Sequence, residues 1–171
     1  VAYLNKDEIT KPDGYVIEGH VAGGHNAPPR NRKSIDNEGN PVYTEQDEPD
    51  LVKVLNSGSP FWMAGGYATA DKVREAIAKG AQGVQVGSLF ALANESGFTK
   101  ENRSSILTSL ADPTMRVMTD ASASPTGFPF KVIQNNQTLS NDNLYKERTR
   151  ICDLGYLRTM FQREKGGIGY R

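Results

Sequence analysis

The sequence predicts an α/β fold built on a parallel sheet with crossover helices, and two observations carry the prediction. Short apolar runs alternate with segments of helical periodicity, in the order strand, loop, helix, strand, glycine loop, helix, strand, glycine loop, helix. The strands also end in glycine. Ala22-Gly23-Gly24-His25 follows the first apolar run, Ala64-Gly65-Gly66-Tyr67 closes the second, and Val84-Gln85-Val86-Gly87-Ser88 repeats the theme. Parallel strands need such crossovers, because a tight turn joins only antiparallel neighbours.

Taken in order, Tyr15-Val16-Ile17-Glu18 reads as a short buried strand, preceded by the turn signal Pro12-Asp13-Gly14. Residues 19–47 are polar and hold Pro28-Pro29 and Asn37-Glu38-Gly39-Asn40-Pro41. They predict a loop with little regular structure, of a length usually reserved for lids and binding loops. A helix is predicted over residues 49–56, with Pro49 in its first turn and Gly58 just past its end. The next strand is 60–64, with Phe61 and Trp62 assigned to the core. Thr69 caps a helix over 70–79, whose apolar stripe is Val73, Ala76 and Ile77 and whose end is Gly80. The third strand is 83–87, with Val84 and Val86 alternating with Gln85, and 88–94 reads as a short helix or turn.

The C-terminal third predicts a helix over 101–110, short strands at 117–118 and 130–133 around a turn-rich 122–129, and a charged-faced helix over 143–163. Ala2-Tyr3-Leu4 is a candidate for one more strand.

Bulk properties narrow the function classes. The 171 residues suffice for one domain with a sizeable core. Twenty Lys plus Arg balance twenty Asp plus Glu. No basic stripe with interleaved aromatics is present, so nucleic acid is not an expected partner. No apolar run approaches the ~20 residues of a membrane span, and no secretory leader is visible. The single Cys152 rules out an internal disulfide framework and fits a reducing compartment, so the expected localisation is cytoplasmic. Two His and one Cys leave no ligand set for a zinc site. The hydrophobic content of 37% is low for a self-sufficient α/β domain. The chain also starts at Val1 and ends in mid-phrase, so the expectation is a portion of a longer protein.

The chemistry points to the glycines. Glycine at a strand end lets a ligand approach the backbone, because no Cβ stands in the way. Backbone N–H groups freed there suit a phosphate, and in (β/α)8 barrels such a site commonly follows the last two strands. The dinucleotide pattern G-x-G-x-x-G is absent. His25 stands just beyond a strand end, where barrels place catalytic groups, and a neutral imidazole suits a general base. His20 lies five residues earlier, and spacing alone does not separate the two. Tyr67 is a candidate pocket residue. Arg30, Arg32 and Lys33 read as solvated loop charges, and Cys152 reads as a structural thiol in a helical, Arg-flanked stretch.

At these residues the sequence resembles the nitronate monooxygenase (2-nitropropane dioxygenase) family. Glu18-Gly19-His20-Val21-Ala22-Gly23-Gly24-His25 is similar to its E-G-x-x-A-G-G-H motif, and Ala64-Gly65-Gly66 to its next motif. Gly83-Val84-Gln85-Val86-Gly87-Ser88-Leu89-Phe90 is similar to its G-V-Q-x-G-T-x-F. Asn26-Ala27-Pro28-Pro29-Arg30 and Ser124-Pro125-Thr126-Gly127-Phe128-Pro129-Phe130 resemble a distinct subgroup.

The resemblance implies a partial (β/α)8 TIM barrel: the last strands of the barrel, with a motif core at 15–95, plus a C-terminal helical extension at 96–171. It implies FMN as cofactor and His25 as catalytic base. Glu18 and Gly23 would face the flavin. Gly66 and Gln85, Val86, Gly87 and Ser88 would form the phosphate loop, and Gly24 and Gly65 complete the cofactor-binding set. Ser88 stands where Thr is common, with a hydroxyl that makes the same hydrogen bond. His20 has no catalytic counterpart in the motif. The implied substrates are a nitronate or nitroalkane and O2, and the products a carbonyl compound and nitrite. Two alternatives stay open. One is a flavin enoyl-thioester reductase using NAD(P)H, which shares the glycine pattern. The other is a non-catalytic flavin- or phosphate-binding fragment.

Overall fold

The computed structural model describes residues 6, 11–31, 34–113, 115, 117–121, 123, 128–151 and 159–170. The chain divides into two units, Val1–Gln134 and Asn135–Arg171.

The first unit is α/β. Its main sheet has three parallel strands in the order of the chain, β1 (Tyr15–Glu18), β2 (Phe61–Ala64) and β3 (Gly83–Gln85). β3 is two residues shorter than its alternation predicts, so Val86 and Gly87 lie in the loop after it. The register aligns Ile17, Met63 and Val84 in one row, Val16, Trp62 and Gly83 in the next, and Glu18, Ala64 and Gln85 in a third. Successive strand residues point to opposite faces, so these rows alternate between the two sides of the sheet.

One side is the core. Phe61 and Met63 are buried there with Val54 of α1 (Leu51–Leu55), Ala76 of α2 (Ala70–Ala78) and Ala81, flanked by Tyr15, Ile17 and Val84. Both helices are capped as their sequences require. Asp50 accepts from the Lys53 amide at 3.2 Å, and Thr69 Oγ1 accepts from the Lys72 amide at 3.4 Å. The stripe on α2 is narrower than its spacing predicts, since Ala76 is fully buried but Ile77 is half exposed.

The other side corrects one expectation. Trp62 is 37% exposed and belongs to this open face, not to the core. Its ring lies across two glycines of the neighbouring chain segments. A Cβ on Gly14 would come within 2.7 Å of the ring, and one on Gly83 within 3.1 Å. Gly14 is therefore glycine because the indole and the Pro60 carbonyl press on it.

The long polar segment is more ordered than its composition predicts. The Asp36 carboxylate accepts from the amides of Glu38 and Asn40 at 2.9 and 2.8 Å, closing a turn whose arms meet at the bridge between Ile35 and Pro41. A 3-10 turn, Glu45–Asp47, ends the segment. The Asp47 carboxylate ties this turn to the middle of the segment, accepting from the Arg30 amide at 2.7 Å and from the Thr44 amide at 2.8 Å.

Beyond β3 come α3 (Ser88–Ala91) and α4 (Lys100–Ser109), then an antiparallel pair, β4 (Val117–Asp120) and β5 (Phe130–Ile133). β5 lies against the first glycine pair. The Lys131 amide donates to Gly24 O at 3.0 Å, the Asn26 amide donates to Pro129 O at 2.8 Å, and His25 bridges Phe130.

The second unit holds α5 (Asp142–Glu147) and an antiparallel pair, β6 (Met160–Gln162) and β7 (Ile168–Tyr170). This corrects the helix expected over 143–163 and, with it, the helical extension over 96–171, which holds four strands as well as helices. The helix ends where Arg148 turns extended, and the β6–β7 turn is made by Gly166 and Gly167, both at positive φ. No closed barrel forms among the described residues, whose strands make three separate sheets. None of the described helices is long and apolar enough to cross a membrane. Ala2-Tyr3-Leu4, Arg32, Lys33, residues 124–127 and Cys152 lie outside the described residues.

Candidate active site

The three glycine-ended strands and β5 surround a cavity of about 630 Å³ at the strand ends, within the range of ligand pockets. Glu18, Gly23, Gly24, Gly65, Gln85, Gly87 and Ser88 all line it. Val86 does not line it, and Gly66 lines a smaller one of about 250 Å³ with Gly65, Tyr67 and Lys72. His25 lines a third, of about 300 Å³, with Glu18, His20, Asn26, Tyr43 and Asp47. Glu18 borders both the largest cavity and that of His25.

The glycines differ in why they are glycine. Gly65 has φ +94°, and a Cβ on it would lie 2.9 Å from the Ala22 amide nitrogen. The chain itself requires glycine there. Gly24 and Gly66 also adopt positive φ, at +80° and +79°. Gly23 and Gly87 have neither restriction: φ is not in the left-handed region, and a Cβ on either meets nothing within 4 Å. Their missing side chains leave open space facing the cavity. That is the pattern a closely approaching ligand demands, and folding alone does not demand it.

Two polar side chains cross this floor. Gln85 Nε2 donates to Glu18 Oε1 at 3.3 Å, over Ala64, whose small side chain lets the flanking strands' groups meet. The pair presents a carboxylate and an amide side by side.

In the neighbouring cavity, the His25 ring is exposed and stands edge-on to Phe130, centroids 4.7 Å apart at 88°. Its neighbour Asn26 is 6% exposed. Asn26 Nδ2 donates to Ala22 O at 3.3 Å, while its buried Oδ1 has no partner among the described residues. A buried acceptor left so costs about 1–3 kcal/mol, which a bound donor would relieve.

His20 is held differently. Its ring stacks on Tyr43 at 4.9 Å and 12°, and Nδ1 lies 3.2 Å from Glu48 Oε1. Tyr43 in turn donates to Ala27 O at 2.9 Å. Burial, followed by the charge of Asp47, raises the Tyr43 phenol above its usual range, so it stays a donor. Arg30 contributes its backbone amide to Asp47, and its side chain is exposed. Tyr67 packs against the core as well as lining a cavity.

One residue in this site escapes the sequence reading. Lys131 lines the largest cavity, donates from Nζ to Thr119 Oγ1, and holds Nζ 6.0 Å above the Tyr43 ring. Burial pulls its ammonium below the usual lysine range. The signal that could have found it is the strand pattern itself. A lysine inside Phe130-Lys131-Val132-Ile133 shares a face with Ile133, and both line the cavity.

The large cavity is thus lined by glycine at parallel strand ends and floored by a carboxylate–amide pair, with the exposed His25 in the cavity beside it. The chain matches the family model of nitronate monooxygenase over residues 3–159, and it belongs to that family. No curated protein matches the chain.

Proposed function

We propose that this chain carries the flavin-facing and substrate-facing residues of an FMN-dependent enzyme that oxidises nitronates with O2 to a carbonyl compound and nitrite. The observation that carries the reading is the cavity whose glycines 23 and 87 have no requirement within the chain and open onto ligand space. FMN supplies the electron transfer and the reaction with oxygen when bound. The residues present suit it. The backbone at Gly23 and Gly24 admits the ring, and the Glu18–Gln85 pair offers an acceptor and a donor to its polar edge. Gly65, Gly66 and the segment from Gln85 through Val86 and Gly87 to Ser88 serve the phosphate end. The unpartnered Asn26 Oδ1 fits a donor brought by the ligands.

His25 takes the proton α to the nitro group or orients the nitronate. Its exposure keeps the imidazole reachable by substrate, and its ring stands edge-on to Phe130.

The fold supports a partial (β/α)8 barrel. The strands run β1, β2, β3 in chain order, and α1 and α2 both cover one face. A doubly wound sheet instead reverses its strand order and covers both faces.

Three measurements on the full-length protein test this reading. The purified protein should show flavin absorption. Anaerobic mixing with propionate 3-nitronate should then reduce the flavin, and His25→Ala should lower kcat/KM for the parent nitroalkane by about 10²–10⁴ with FMN affinity unchanged. Rapid reduction by NADH alone would move the protein to the enoyl-thioester reductases, and a colourless protein that ignores FMN would remove the flavin altogether.

A further inference from the structure

We propose that Lys131 is the cation that receives the two nitronate oxygens in the cavity bordered by Gly23 and Gly24. This rests on the nitronate reading above and adds to it the group that recognises the substrate's charge.

A nitronate is an anion with its charge spread over two oxygens on one nitrogen. Taken into a cavity, it needs a cation or aimed dipoles to replace water. Two charged side chains line the large cavity, Glu18 and Lys131. Glu18 is a carboxylate already bonded to Gln85, so it repels an anion. Lys131 is the group of the right sign.

Its position is set from the backbone. The Lys131 amide binds the Gly24 carbonyl, and the adjacent Phe130 pairs with His25. The backbone of Lys131 thus lies beside Gly24 and His25, and its side chain lines the large cavity. Its stem is steadied by the buried Thr119, which takes one of its three N–H donors. The Tyr43 ring lies beneath it at 6.0 Å. No carboxylate stands within ion-pair distance of Nζ among the described residues. A partly buried cation with no counter-ion among the described residues is disfavoured by the fold, which is the condition in which an anionic ligand gains most.

The test uses the full-length, FMN-loaded protein and inorganic nitrate, a planar oxyanion that cannot be oxidised. Nitrate binding is read from the visible spectrum of the flavin. Lys131→Met should weaken it by about tenfold or more, and Lys131→Arg should hold it within about threefold. Lys131→Met should also raise KM for propionate 3-nitronate by a similar factor while leaving that for neutral nitroethane nearly unchanged. Thr119→Val, which keeps the lysine and frees its stem, should give a smaller loss and covers a Lys131→Met protein that does not fold.

Nitrate affinity equal in wild type and Lys131→Met overturns the proposal, as does wild type that binds no nitrate. A loss of FMN affinity in place of nitrate affinity also overturns it, by assigning the lysine to the cofactor. If nitrate binding depends on Lys131 but no nitronate is oxidised, the proposed function fails and the oxyanion site stands.

Discussion

Two faces of one sheet share the same three strands and do opposite things. On the helix-covered face, Phe61 and Met63 are buried against Val54 and Ala76. On the other face, Val16 is 47% exposed and Trp62 37%, and the end nearest the cavity carries Glu18, Ala64 and Gln85. The residues alternate along each strand, so a shift of one position exchanges core for site. The lesson is one of volume. The covered face is stabilised by filling space, and the open face keeps a cavity through Ala64 and the glycines beside it.

Three tests press on this contrast. Phe61→Ala carries the largest expected effect. It removes the most completely buried large side chain described, at 2% exposure, and should lower stability by about 3–5 kcal/mol in denaturant unfolding. An equal loss from Gln85→Ala would erase the distinction between the faces.

The second compares two glycines of the site. Gly65→Ala forces a Cβ to 2.9 Å from the Ala22 amide at φ +94°, and should cost about 1–3 kcal/mol or more of stability. Gly23→Ala meets nothing within 4 Å. Its melting temperature should stay put while FMN affinity falls by about tenfold, a figure set by the loss of close backbone approach. If Gly23→Ala unfolds the protein and leaves FMN binding intact, Gly23 is a folding glycine.

The smallest effect concerns the loop over the His25 cavity. Amides of Arg30 and Thr44 hold the Asp47 carboxyl below its ordinary range. A depressed carboxyl pKa stabilises above its unfolded value and loses that contribution as pH falls through the folded one. Limited proteolysis within 19–47 should therefore accelerate below about pH 4. Asp47→Asn should be nicked faster at neutral pH, with little further change on acidification.

What was legible in the sequence was local. The strands at 15–18 and 60–64, the Thr69 cap and the helix over 70–79 follow from period and capping, which neighbouring residues decide. The motifs at Gly23, Gly65 and Gly87 carried the family, and the match over residues 3–159 agrees. The misreadings are non-local. The helix over 143–163 had charge and length in its favour, but Met160–Gln162 pairs with Ile168–Tyr170 across a double-glycine turn. Trp62 read as core because it is large and apolar, yet its strand parity sets it on the open face over Gly14 and Gly83. Lys131 carries only a weak local signal, a lysine inside an apolar strand, and its place beside Gly24 comes from pairing with a distant segment.

By itself, then, the sequence determined the parallel α/β strands, their glycine ends and the family, because each is written within a few consecutive residues. Tertiary structure decided which glycines are pressed by neighbours and which open onto the cavity. It also decided that Glu18 meets Gln85 across 67 positions of chain, and that Lys131 stands beside Gly24. These depend on register and packing between distant segments, and no local pattern encodes where a strand's partner will place it.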